Sequence, residues 1–196
     1  MKTTLIYFYL PVAICLIFSS CGGRSGSTEA PALGSDLVVA EERAFFNNLA
    51  SWCGASFSGE QTFLAEGRES WEDKDFVMHV TICEDDRIHV PFHLSEDHSR
   101  TWMFLVEDGR LRFRHDHRHE DGTPEDVTMY GGYADGEGTA TRQDFPADEY
   151  TCETLPTACK AVWRVELSED PPAFSYSLFD DGELLFSASF DLSEPL

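Results

Sequence analysis

The chain has 196 residues, and its 14 Lys and Arg stand against 36 Asp and Glu, a formal charge of −22. That length suits one domain once a targeting segment is set aside. The charge repels phosphate backbones, so nucleic acid is excluded as a natural partner, and it repels anionic lipid too, which leaves an acyl anchor as the route to a membrane.

The first element is a targeting segment. Met1-Lys2, the apolar run "TTLIYFYLPVAICLIF" and the small pair Ser19-Ser20 make a secretory signal over 1–20. Pro11 interrupts the run, which is short for a membrane span. Ser19-Ser20-Cys21 resembles the lipobox of bacterial lipoproteins, with Phe18 where Leu is usual. The resemblance implies cleavage before Cys21, lipidation of Cys21 and attachment to the cell envelope. Gly22, in place of the Asp of inner-membrane retention signals, favours the outer membrane. Plain secretion is the alternative.

Residues 21–35, rich in Gly and Ser, read as a flexible tether, and 36–196 as a single domain. Asp36 is placed to cap a helix over about 37–50, with Leu37, Ala40, Ala44, Phe45 and Leu49 on its apolar stripe. Beyond Trp52 the period falls to two. "FVMHVTIC" (76–83) sets Phe76, Met78, Val80 and Ile82 on one face, and "RIHVPFHL" (87–94) does so for Ile88, Val90, Phe92 and Leu94. "SRTWMFLVE" and "RLRFRHDHRH" flank Asp108-Gly109, a hairpin signal. "VTMYGGYA", "GTATRQDF", "VWRVELS", "AFSYSLF" and "ELLFSASFDL" follow. A three-residue loop at 180–182 sets Leu178 opposite Leu184, Tyr176 opposite Phe186 and Phe174 opposite Ala188. The expected fold is mainly β: an antiparallel up-and-down barrel of about eight to ten strands with a short N-terminal helix, or else a β-sandwich. "LASWCGASFSGEQTF" (49–63), a helix running into a strand, resembles the entrance to calycin barrels of the lipocalin and fatty-acid-binding type.

With Cys15 in the signal and Cys21 acylated, Cys53, Cys83, Cys152 and Cys159 remain for two disulfides, and three connectivities are open. Cys152 and Cys159 flank a short loop, which favours pairing them with each other and Cys53 with Cys83.

All seven histidines lie between His79 and His119. A two-residue turn at Asp108-Gly109 pairs Val106 with Leu111, Phe104 with Phe113, Trp102 with His115 and Arg100 with His117. One face then runs from apolar residues to Arg100, Trp102, His115, His117 and His119. The opposite face carries Arg110, Arg112 and Arg114 and reads as solvated. A three-residue turn would instead set Arg100 opposite Asp116. In the first register, Arg100, Trp102, His115 and His117 form the wall of a pocket for a small ligand. No cofactor is implied outright. His115, His117 and His119 could share a Zn²⁺, since alternate strand residues stand about 6.5–7 Å apart on one face, and a single His could hold haem. An enzyme using His115 or His117 as base beside Asp116, Glu120 or Asp121 is a further alternative. Asp116 points to the other face, however, and no nucleophile elbow, zinc-protease, P-loop or dinucleotide-binding motif occurs. With 15 Phe, a filled core and a purely structural or interaction role is a third reading. Oligomeric state is not legible. "DHSRTW" (97–102), "HDHRHEDGT" (115–123), "MYGG" (129–132) and "GTATRQDFPAD" (138–148) resemble a family of bacterial secreted proteins and lipoproteins with no assigned activity. The resemblance implies a single exported domain and no catalytic residue.

Overall fold

A computed structural model describes residues 32–196, so the signal, Cys21 and most of the tether lie outside the described residues. The first described residues are bonded to the domain: the Leu33 N–H donates to Asn47 Oδ1 (2.7 Å), and the Gly34 N–H donates to the Asp85 carbonyl (3.1 Å). Leu33 and Gly34, expected in the tether, are therefore held against the domain.

Helix α1 spans Ala40–Ala50, three residues shorter than expected, and Val39 rather than Asp36 is its N-cap. The preceding residues are drawn elsewhere, because the Leu37 N–H donates to the Gly34 carbonyl and the Val38 N–H donates to the Gly109 carbonyl. Phe45, Phe46 and Leu49 form the buried face.

The strands are β1 (Ser56–Leu64), β2 (Phe76–His79), β3 (Thr81–Glu84), β4 (Arg87–Leu94), β5 (Asp97–Glu107), β6 (Arg110–His117), β7 (Tyr130–Tyr133), β8 (Arg142–Pro146), β9 (Ala161–Glu169), β10 (Pro172–Asp180) and β11 (Glu183–Asp191). They form one antiparallel sheet in the order β7-β6-β5-β4-β2-β1-β11-β10-β9-β8, with β3 on β4. Neighbours in the sheet are neighbours in sequence apart from β2 and β4, which pair past the short β3, and the first strand pairs with the last. The meander thus curls into a nearly closed up-and-down barrel, a solution that hides its edges. With one sheet among the described residues, the sandwich alternative does not hold.

The remaining seam lies between β7 and β8. There the Asp135 N–H donates to the Asp144 carbonyl and the Asp148 N–H donates to the Gly131 carbonyl, both at 3.0 Å. The approach requires glycine: a Cβ on Gly132 would stand 1.8 Å from the Pro146 carbonyl oxygen. A short helix α2 (Glu149–Thr154) straps the seam, capped by the Asp148 side chain, and a 3₁₀ turn (Pro156–Ala158) follows. The sequence signal for α2, an Asp three residues before Thr151, falls inside what reads as a loop.

Two registers show where period-two reasoning holds and where it bends. At Asp108-Gly109 both turn residues take positive φ (52° and 76°), and Arg100 pairs with His117, Trp102 with His115 and Phe104 with Phe113. The two-residue turn is therefore the one formed. At Asp181-Gly182 the same turn chemistry appears (φ 49° and 85°), so the loop has two residues and not three. A bulge between Leu178 and Phe179 absorbs the odd residue. The apolar partners become Leu178 with Phe186, Tyr176 with Ala188 and Phe174 with Phe190, each two residues away from the expected pairing.

"FVMHVTIC" is likewise not one strand. The Val80 backbone is diverted to Gly54 and Ala55, Ile82 takes φ 37°, and its side chain is 46% exposed instead of sharing the inner face. Cys53–Cys83 and Cys152–Cys159 are the two disulfides.

Candidate functional site

The barrel interior divides along its axis. Near the β5–β6 turn, α1 plugs one end: Phe45 stands 6.0 Å from Phe104, and tilted rings continue the contact through Phe113 (5.0 Å from Phe104) to Phe145 (5.1 Å from Phe113). Toward the other end the inward residues of β5 and β6 change from Phe to Trp102, His115, Arg100 and His117, following the pairing above. Here a cavity of about 490 Å³ opens, and all four of these residues line it.

Trp102 is held between two parallel rings, Phe92 on one side (4.7 Å, 13°) and Tyr176 on the other (4.7 Å, 15°). Each belongs to the inward set of its strand, β4 or β10, so strand alternation alone builds the stack. His115 is buried beneath it. Its Nδ1 lies 3.2 Å from the Tyr130 carbonyl, which can only accept, so Nδ1 carries the proton. Its Nε2 therefore accepts from the Tyr176 hydroxyl at 2.9 Å. Burial pushes this imidazole down to about 3, so it is neutral at physiological pH. Burial also pushes the Tyr176 hydroxyl well above its ordinary range and the Tyr130 hydroxyl up to about 12.

His117 lies nearer the mouth, with Nε2 3.0 Å from the Tyr130 hydroxyl and Nδ1 3.9 Å from Glu125 Oε2. Its pKa is lowered by burial and by the Arg100 charge, against the pull of Glu125, Asp116 and Asp97. Arg100 is ion-paired through Nη1 to Asp97, and its guanidinium sits 5.5 Å from the centre of the Trp71 ring. Among the described residues, its Nε and Nη2 donate to no protein acceptor.

His119 is not brought to this site. Strand pairing ends at His117, and residues 119–122 form an exposed turn in which the Gly122 N–H donates to the His119 carbonyl. The alternation that puts His119 on the same face fails once the strand stops. Both nitrogens of His115 are already engaged. Among the described residues, no three His, Cys, Asp or Glu side chains converge so as to hold a metal ion.

The Arg row on the outer face is not simply solvated. Arg112 and Arg114 both reach Asp148 (2.8 and 2.6 Å), and Arg114 is 3% exposed. Arg110 pairs with Glu42 of α1 (2.9 Å). These arginines fasten α2 and α1 to β6. Asp116 lies on that same outer face, bonded by Arg118 and Thr128, and away from His115 and His117.

Sequence reasoning missed Tyr130, Tyr176, Trp163 and Trp71, which also line the cavity. Tyr176 and Trp163 were findable, since alternation puts each on the apolar face of its strand. Trp71, in the β1–β2 connection, and Tyr130, after an irregular segment, carry no such signal.

No family model matches the chain, and no curated protein or solved structure matches it. Fold and site define the class on their own terms: a mainly β protein whose single sheet is nearly closed into a barrel, plugged by a helix at one end and hollow at the other.

Proposed function

We propose that the protein is a binding protein of the bacterial cell envelope, tethered by an acyl group on Cys21 at the outer membrane and holding a small ligand in the barrel. One observation carries the ligand reading. Arg100, Trp102, His115 and His117 face a single open cavity, whose size falls in the range of small-molecule sites. Its walls are largely aromatic, and Arg100, His115 and His117 supply polar groups to orient a ligand.

The chemistry of the histidines speaks for binding over catalysis. His115 has neither a free nitrogen nor a useful basicity near neutral pH, and the outer-face position of Asp116 leaves the simplest His–Asp dyad unformed.

Native mass spectrometry with elemental analysis of the purified protein tests the reading. The expected result is a stoichiometric organic mass that Trp102→Ala abolishes. A stoichiometric metal with no organic mass would favour the metal or haem alternative, and a cavity filled by side chains in a ligand-soaked crystal would favour the purely structural one. For the anchor, Cys21→Ser is expected to abolish incorporation of labelled palmitate and release the protein from membranes.

A further inference from the structure

The cavity carries more information than its existence. The chain is strongly acidic, yet two arginines, Arg68 and Arg100, line this cavity. Arg100 is 24% exposed, is paired through one nitrogen only, and has its guanidinium 5.5 Å from the centre of the Trp71 ring. A half-buried guanidinium with unfilled donors is a fork preset for a carboxylate, which it can take through two parallel N–H bonds. Glu69 and Asp180 also stand on the lining and repel a second negative charge.

The walls set the body of the ligand. Phe92, Trp102 and Tyr176 are stacked in parallel, and Tyr130 is stacked on His115 (4.5 Å, 14°). These rings hold one another in place and offer rigid edges and faces. Such walls favour a flat, rigid arene over a flexible chain, because rings gain edge-to-face contacts and lose no internal rotors on binding.

We infer that the occupant is a compact aromatic monoanion, an arene with one carboxylate, whose ring packs among Trp102, Trp163 and Tyr130 and whose carboxylate takes the free N–H groups of Arg100. This rests on the reading of the cavity as a ligand site. It excludes neutral arenes, dianions and long aliphatic acids as preferred occupants.

Calorimetric titration of the purified protein with three probes tests it: 1-naphthoate, its neutral isostere 1-naphthamide, and laurate. Naphthoate is expected to bind about tenfold more tightly than naphthamide, the factor expected of one charge-assisted pair. Arg100→Gln should weaken naphthoate about tenfold and leave naphthamide within about twofold. Asp97→Asn breaks the same ion pair but keeps the cation, so it should leave naphthoate affinity unchanged or raised. Equal affinity for naphthoate and naphthamide overturns the anionic assignment while leaving the ligand site standing. Tighter binding of laurate overturns the aromatic one. A loss with Asp97→Asn matching that with Arg100→Gln would show that Arg100 acts only by bracing the fold. If none of the three probes binds, the inference fails outright, and the retained-mass experiment decides the ligand site separately.

Discussion

The two ends of the barrel are built from the same residue types and do opposite things with them. At the α1 end, Phe45, Phe46 and Leu49 enter as a plug, and they and Phe104 and Phe113 are fully buried. The buried carboxylate there is matched internally: Glu42 accepts from Arg110 Nε (2.9 Å) and from the Leu111 N–H (2.7 Å). At the far end no α-helix plugs the barrel, and the 3₁₀ turn adds only Thr157 and Ala158 to the lining. The aromatic rings stack against one another along the walls and leave about 490 Å³ between them, and a guanidinium keeps donors to spare. Aromatic content therefore does not decide whether a barrel is filled or hollow. The presence of a plugging element does.

Side-chain truncation breaks this contrast most directly. Phe45→Ala should cost about 3–5 kcal/mol in urea unfolding, because it empties a filled site. Leu178→Ala, on the cavity wall and half-buried, should cost about 1 kcal/mol, since one side of that residue already faces space. Equal losses would mean that the far end is packed in solution.

The disulfides give a second asymmetry. Cys53–Cys83 ties the segment after α1 to β3 across 30 residues, while Cys152–Cys159 closes only 7 beside the cavity, where Leu155, Thr157 and Ala158 form part of the lining. Loop-closure entropy predicts a loss of about 3.5 kcal/mol for the first pair replaced by Ser and about 2.5 kcal/mol for the second. Only the second should alter ligand release rates, measurable by stopped-flow fluorescence.

Glu42→Gln should lower stability by about 2 kcal/mol, because a buried partner of Arg110 and the Leu111 N–H loses its charge. Arg100→Gln at the open end should change stability by less than about 1 kcal/mol, as solvent screens the Asp97 pair.

A further effect is a slope with pH. His115 remains neutral in the folded protein down to about pH 3, whereas the unfolded chain takes up that proton near 6.5. Folding is therefore unopposed by this group above pH 6.5, and stability falls as the pH drops from 6.5 toward 3. One proton contributes about 1.4 kcal/mol per pH unit in that window. His115→Gln should flatten the slope by up to that amount. His79, His89, His93 and His117, each lowered chiefly by burial, keep the remainder.

The legible parts of the molecule are those where local rules act alone. β4 reads off its alternation residue by residue, and Asp108-Gly109 sets the β5–β6 register, so four of the cavity residues can be placed together from sequence. The illegible parts are those where a distant partner overrules the local pattern. Ile82 leaves the inner face where β2 breaks from β3, with the neighbouring Val80 backbone bonded to Gly54 and Ala55. The β10–β11 register needs a bulge that no residue type announces. The Arg112 and Arg114 side chains look solvated until α2 brings Asp148 to them. Trp71 and Tyr130 reach the cavity from outside any long alternating run.

The chain holds four tryptophans, and they divide between the two ends: Trp71, Trp102 and Trp163 line the cavity, while Trp52 packs edge-on to Phe57 beside α1, with ring centres 5.5 Å apart. Their indole N–H resonances in a ¹⁵N-correlated NMR spectrum report each end separately. The account predicts that titration with 1-naphthoate shifts the Trp71, Trp102 and Trp163 signals along one saturating curve and leaves Trp52 in place. Shifts at Trp52, or none at the other three up to millimolar ligand, would contradict it.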